Sequence, residues 1–310
     1  MAARCPALTG AAGIDWKARA EDPAHGSLIA WTGGRTMSTW FITGCSTGFG
    51  RALAQAVLEH GFNAVITARN EATVTDLAAR CPDRALALPL DVTDHAQVVA
   101  AVRAAEAAFG GIDVLVNNAG YGYRAAVEEG EREGIDAMFA VNFFGALDLI
   151  QQVLPGLRAR GRGVIVNISS IAGRLSSPGS GFYSASKFAL EGLSYGLRLE
   201  VEPLGIRVVV VEPGPFRTDF AGRSLKQSAV ALTDYAATAG RRRKENDTMD
   251  GNQPGDPAKA AEAIIAAVSA PVPPRQLVLG NPGVDQVFAE LERQRAELGE
   301  WEALGRATDF

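Results

Sequence analysis

From Trp40 onward the chain alternates short runs of β-branched and aliphatic residues with longer stretches whose apolar positions recur every three or four residues. The first pattern marks strands and the second amphipathic helices. Strands are predicted at about 39–43, 64–67, 86–88, 112–116, 164–168, 206–211 and 277–279. Helices are predicted near 49–60, 71–79, 94–109, 131–159, 183–202, 257–269 and 284–299. Asn70 and Thr93 are residue types suited to cap helix N-termini. The run Val208-Val209-Val210-Val211 is apolar without alternation, as expected of a strand buried on both faces. Such βαβ units with right-handed crossovers predict an α/β fold: one doubly wound parallel sheet of about seven strands, helices on both faces and ligands at the carboxyl ends of the strands.

Two regions break the pattern. Residues 213–256 carry no strand signal and lie on the edge where ligands collect, which predicts a lid loop. The first 36 residues mix charges with Gly, Pro and Ala and lack a sustained apolar period, which predicts a flexible leader ahead of a catalytic domain at 37–310 that opens with Met37.

Composition acts mainly by exclusion. With 310 residues, 47% hydrophobic, 21% charged and a net charge of −5, the chain has a globular balance and no field that would draw nucleic acid. The basic run Arg241-Arg242-Arg243-Lys244 is followed by Glu245, Asp247 and Asp250 and predicts a solvated loop. Cys5, Cys45 and Cys81 lack CxxC spacing, which predicts a reducing, cytoplasmic setting. His25, His60 and His95 are scattered, so they are expected to be structural or surface residues, and no metal is expected. No apolar run approaches the ~20 residues needed to cross a bilayer.

The candidate chemistry starts at Thr43-Gly44-Cys45-Ser46-Thr47-Gly48-Phe49-Gly50, a glycine turn between the first strand and its helix. Gly44 permits a sharp turn, Gly48 lets a pyrophosphate approach the backbone, and Gly50 lets the helix lie close on the sheet. The first free N–H groups of that helix can face an anion. Further along, Tyr183 and Lys187 stand four residues apart on one helix face, with Cβ atoms about 6 Å apart. A phenol titrates near 10, and a cation within ~4–6 Å would lower that value and make proton transfer feasible. Ser170 ends the fifth strand and Ser169 should point to the opposite side. Asn117-Asn118-Ala119-Gly120 follows the fourth strand, and Asn142 is a polar residue among Phe139, Val141, Phe143 and Phe144. Taken singly, each also fits a loop or a satisfied core residue.

Together these residues resemble the short-chain dehydrogenase/reductases: TGxxxGxG at 43–50, NNAG at 117–120, Ser170, YxxxK at 183–187 and Pro213-Gly214 follow that family's order and approximate spacing over about residues 38–280. The phrasing is most similar to bacterial reductases akin to 17β-hydroxysteroid and retinol dehydrogenases. The resemblance implies a Rossmann-type catalytic domain, with Tyr183 as acid/base, Lys187 lowering its pKa and holding the nicotinamide ribose, Ser170 polarising the carbonyl, and Asn142 ordering a relay water. It also implies cofactor contacts from Gly44, Ser46, Thr47, Gly48, Phe49, Gly50, Arg69, Asp91, Val92, Asn118, Ala119, Gly120, Pro213, Gly214, Phe216 and Thr218, besides Tyr183 and Lys187.

At the end of the second strand Ala68 stands where NAD-using enzymes place an acid, and Arg69 follows with a fork suited to phosphate, so NADP(H) is expected over NAD(H). Thr47 stands where some NADP-preferring relatives have a basic residue. The expected partner is a small carbonyl or alcohol, walled by Tyr121, Tyr123 and Phe182 and by Phe216, Phe220, Leu225, Val230, Leu232 and Tyr235 of the lid. Pairing of the two long helices implies a homodimer or homotetramer. The competing class is a non-catalytic, redox-sensing NADP-binding regulator, which would be expected to have lost one of the four catalytic residues. An epimerase or dehydratase would need a larger carboxyl-terminal domain.

Overall fold

The computed structural model describes residues 38–310 apart from 221, 223 and 250. The expected leader, and with it Cys5, His25 and Met37, lies outside the described residues.

Among the described residues, nine strands run in chain order as β1 (Thr39–Ile42), β2 (Asn63–Ala68), β3 (Ala85–Pro89), β4 (Val114–Asn117), β5 (Gly122–Arg124), β6 (Gly163–Ile168), β7 (Ile206–Pro213), β8 (Leu225–Gln227) and β9 (Gln276–Leu279). Seven of them form one parallel sheet in the order β3-β2-β1-β4-β6-β7-β9. The chain winds outward from β1 to β3, then returns to place β4 on the other side of β1. That reversal opens a crevice at the carboxyl ends of β1 and β4, and it brings the glycine turn and the Asn-Asn-Ala-Gly segment to one spot.

The helices are α1 (Gly48–Glu59), α2 (Thr75–Arg80), α3 (His95–Phe109), α4 (Arg132–Phe139), α5 (Ala146–Arg160), α6 (Gly181–Val201), α7 (Arg241–Met249), α8 (Pro257–Ser269) and α9 (Asn281–Arg306). Strand side chains alternate between two hydrophobic layers. Ile42, Val116, Val166 and Val209 meet α1 and α8, while Phe41, Leu115, Ile165 and Val208 meet α3, α5 and α6. Burial on both faces is what the unbroken apolar strands required.

Several expectations are corrected. Asn70 does accept a cap hydrogen bond, from Ala72 N at 3.1 Å, but α3 is capped by Asp94, not Thr93: Asp94 Oδ1 accepts from Ala96 N and Gln97 N, while Thr93 donates to Asp91. The helix expected over 131–159 is α4 and α5 joined by a π turn, Ala140–Gly145, which holds Asn142. Sequence period cannot register a single wide turn. The continuous helical segment Arg132–Arg160 contains an 18-residue window of mean hydropathy 1.4. Its inner residues Leu149, Ile150, Val153 and Leu157 pack on the sheet.

The region 213–256 is not a strandless loop. It contributes β8, paired in parallel with β5, then a short 3-10 turn at Thr233–Tyr235, a π turn at Ala236–Gly240 and α7. The basic run is therefore helical. Arg241 and Arg242 pair with Glu245, and Arg243 reaches the buried Glu129 at 2.5 Å. His60 and His95 pair at the surface with Glu262 and Asp148. Cys45 is a buried free thiol, and Cys81 is buried as well.

Candidate active site

The turn after β1 is set by the backbone. Gly44 and Gly48 adopt φ of +70° and +59°, values that side chains resist. A Cβ on Gly50 would stand 2.5 Å from the Gly44 carbonyl oxygen and overlap Asn118. Strand β4 braces this turn: Asn118 Nδ2 donates to Thr43 O at 2.7 Å and to Gly44 O at 3.1 Å, while Thr43 Oγ1 accepts from the main-chain N of Asn118 and Ala119, both at 2.9 Å. Asn117 lies deeper, donating to Asn167, which donates in turn to Ser194.

Thr47 occupies the N-cap of α1 without a side-chain cap, and the first turn carries no acid. The helix thus offers uncapped N–H groups and its positive dipole end above a cradle that a Cβ would fill, which fits a pyrophosphate.

A cavity of about 1160 Å³ spreads from this cradle across the strand ends. Its walls include every predicted cofactor position except Gly50, which packs beneath the turn. Arg69 is exposed at the β2 end beside the buried Ala68. Asp91 and Val92 also border the cavity, although the Asp91 carboxylate accepts from Thr93 N and Oγ1 at 3.0 and 2.7 Å. On the facing side Phe216 leans on Phe49 with ring centroids 5.0 Å apart, and Thr218 approaches Gly48.

Ser170 and Tyr183 meet inside this cavity. Ser170 Oγ accepts from Ala172 N at 3.1 Å and hydrogen-bonds Tyr183, whose ring packs on Phe220 at 5.5 Å. Ser169 points the other way, away from Tyr183 and toward Glu191. Lys187, one turn beyond Tyr183, is buried; its Nζ donates to Ile168 O at 2.9 Å and sits 5.8 Å from the Tyr183 ring centre.

The electrostatics correct the expected phenol. Burial pushes Tyr183 up to about 12, and the opposing influence is the Ser170 hydrogen bond, not the Lys187 charge. Burial acts on Lys187 as well, bringing it down to about 8 against the pull of Glu191.

Asn142 does not border the cavity. Its amide is used by protein atoms: Nδ2 donates to Tyr121 O at 2.9 Å and lies 3.1 Å from Ser186 Oγ, while Oδ1 accepts from Tyr121 N at 3.0 Å. The structure thus shows it bracing the segment after Gly120. Of the expected aromatic walls, Tyr121, Tyr123, Phe216, Phe220 and Leu225 line the cavity. Phe182 packs behind Tyr123, Val230 and Leu232 are exposed, and Tyr235 is bound to Glu128 outside. Glu191, Glu212 and Arg174 form a polar cluster behind the site that residue spacing gave little reason to single out. Its one signal was Glu191, a charged residue four positions past Lys187.

Residues 38–229 match the family model described as short chain dehydrogenase. A 3-ketodihydrosphingosine reductase of Bacteroides thetaiotaomicron is 38% identical over 80% of this chain and 90% of its own. The crystal structure of a short-chain dehydrogenase from Streptomyces avermitilis is 43% identical, with a TM-score of 0.84 over 89% of this chain and all of that one. An alcohol dehydrogenase from Thermococcus sibiricus, solved with 5-hydroxy-NADP, is 25% identical with a TM-score of 0.66 over 79% of this chain and 96% of that one.

Proposed function

The chain belongs to the short-chain dehydrogenases, a family of nicotinamide-dependent oxidoreductases, and from that premise we propose that it uses NADP(H) to interconvert a hydrophobic carbonyl compound and its secondary alcohol. The observation that carries this reading is the Ser170–Tyr183 hydroxyl pair, set in one cavity with the glycine cradle. A bound nicotinamide would supply or accept the hydride. The chain's own part is to receive the substrate oxygen between two hydroxyl donors, where negative charge develops during reduction. Tyr183, raised to about 12, is protonated at neutral pH and suited to give its proton to that oxygen. Its O–H bond breaks as the new alcohol O–H forms.

Arg69 and the lack of an acid at Ala68 support a 2′-phosphate. The walls Tyr121, Tyr123, Phe220 and Leu225 support an apolar substrate, and the Bacteroides relative is named as a 3-ketodihydrosphingosine reductase. Exposed Phe144, Phe188, Tyr195 and Leu199 on the helices expected to pair support a dimer or tetramer. The buried free thiol of Cys45 agrees with a reducing compartment. In this reading the catalytic unit spans 37–310 and 213–256 covers the substrate.

The test is to follow NADPH and NADH absorbance with a panel of ketones and aldehydes. Oxidation of NADPH with apolar ketones, faster than of NADH, is expected. No turnover with any carbonyl would end this reading.

A further inference from the structure

Gln253 stands between α7 and α8 and is only 5% exposed, yet its amide oxygen Oε1 has no hydrogen-bond partner. It borders the same main cavity as Ser170 and Tyr183. A buried acceptor left in this condition has lost its hydration and gained nothing in return. A stable fold keeps such a group where another molecule completes it.

The main chain fixes where this amide stands. Two residues on, Gly255 forms a parallel bridge with Phe216: Arg217 N donates to Gly255 O at 2.9 Å, and Gly255 N donates to Pro215 O at 3.2 Å. A Cβ on Gly255 would stand 2.4 Å from the Phe216 ring, so the ring lies directly on the glycine. Pro254 favours extended backbone at Gln253. Because the bridge is parallel, Gln253 precedes it on the side of Pro213 and Gly214, and Pro213 O accepts from Ser170 Oγ at 3.4 Å. The amide is thereby tied, through the end of β7, to the Ser170 side of the cavity by contacts that leave its own side chain unused.

We propose that Gln253 is a specificity-determining residue that hydrogen-bonds a neutral hydroxyl of the substrate, which makes the substrate a hydroxyketone with an apolar body. The inference rests on the proposed carbonyl chemistry and narrows the compounds on which it acts. A hydroxyl both donates and accepts, so it completes an amide in either orientation. An anionic group would be repelled by the bare oxygen. A cationic group would seek a carboxylate, but those on this cavity are taken: Asp91 accepts from Thr93, Glu245 pairs with Arg241 and Arg242, and Asp219 is engaged as well. Tyr121, Phe220 and Leu225 receive the apolar remainder.

The test compares one aliphatic ketone with a series of hydroxyketones of the same carbon skeleton, the hydroxyl placed from beside the carbonyl outward along the chain. At least one member is expected to exceed the plain ketone in kcat/KM by about tenfold with the wild-type full chain, the worth of completing one buried polar group. In Gln253→Met, which keeps the length and removes the amide, that ratio falls to about one, while Gln253→Glu keeps an acceptor and keeps the preference. The ligand-free Tm of Gln253→Met does not fall, because no hydrogen bond to Oε1 is lost. A series in which no hydroxyl position is preferred, as when the amide is served by water alone, overturns the proposal. So does a Met variant that loses both kinds of ketone in proportion, a structural effect, or one that binds NADPH tenfold more weakly, which would assign the amide to the cofactor. If the wild type turns over no carbonyl, the functional reading fails on its own. Calorimetric binding of the same compounds to wild type and Gln253→Met then still decides whether this amide reads a hydroxyl.

Discussion

The turn after β1 is fixed by main-chain geometry: two glycines with positive φ, a third that tolerates no Cβ, and Asn118 and Thr43 tying the turn to β4. The segment 213–256, proposed above to cover the substrate, is held by side chains. Its β8 pairs with β5 over three residues, and much of the remaining hold converges on one buried carboxylate, Glu129. That group accepts from Ala126 N at 2.8 Å and Leu232 N at 2.9 Å and pairs with Arg243, while its main-chain O accepts from Ser228 Oγ at 2.6 Å. Against burial, which raises it, these hydrogen bonds and the Arg243 charge keep Glu129 below its ordinary value. A cradle built from backbone recognises what every cofactor of one class shares. A lid built from replaceable side chains can be altered for a new substrate without disturbing the cradle.

The comparison can be broken most sharply at the seam between the halves. Tyr183→Phe removes the proton donor and is expected to lower kcat by about 10²–10⁴-fold while leaving NADPH affinity within about twofold, measured by steady-state absorbance and by calorimetry. Loss of both together would mean that cradle and catalytic wall are not separable. On the cradle side, Arg69→Ala should weaken NADPH by roughly 10–100-fold, the worth of one charged hydrogen-bond group, and leave NADH unchanged. Equal weakening of both cofactors would refute a phosphate contact.

On the lid side, Glu129→Gln should raise KM for an apolar ketone about tenfold through looser closure, with NADPH affinity unaltered, an order-of-magnitude expectation for one buried charged hydrogen-bond partner. A cofactor effect there would show that the lid also builds the cradle. The smallest effect is in pH. Lys187 is depressed from 10.5 to about 8, so its ammonium is present below that value and lost above it. Turnover should therefore fall to about half near pH 8 and decline about tenfold per unit beyond, where a lysine at its ordinary value would keep the rate level to above pH 10. A flat profile from 7 to 10 would show that the charge is not needed.

The two halves also differed in how far they could be read in advance. The cradle side was visible because glycine at a positive φ and unbroken apolar strands leave their mark on residue type. The seven strands of the main sheet fall close to their predicted places for that reason. The lid was misread as a loop because β5 and β8 are three residues each and pair across about a hundred positions, so neither carries a period of its own. Asn142 was singled out by its polarity amid aromatics, but the π turn that places it behind Gly120 of the cavity wall has no residue signature. The Tyr183–Lys187 spacing correctly placed the two on one helix face. It could not show that burial would raise the phenol and depress the amine.

The most direct measurement is a crystal structure of the full chain with NADP⁺ and a slowly turned-over apolar ketone. The account predicts a pyrophosphate over Gly44 and Gly48 at the start of α1, and a carbonyl oxygen within hydrogen-bond distance of both Tyr183 Oη and Ser170 Oγ. A ketone oxygen that met neither hydroxyl, or a dinucleotide lying away from the glycine turn, would contradict it.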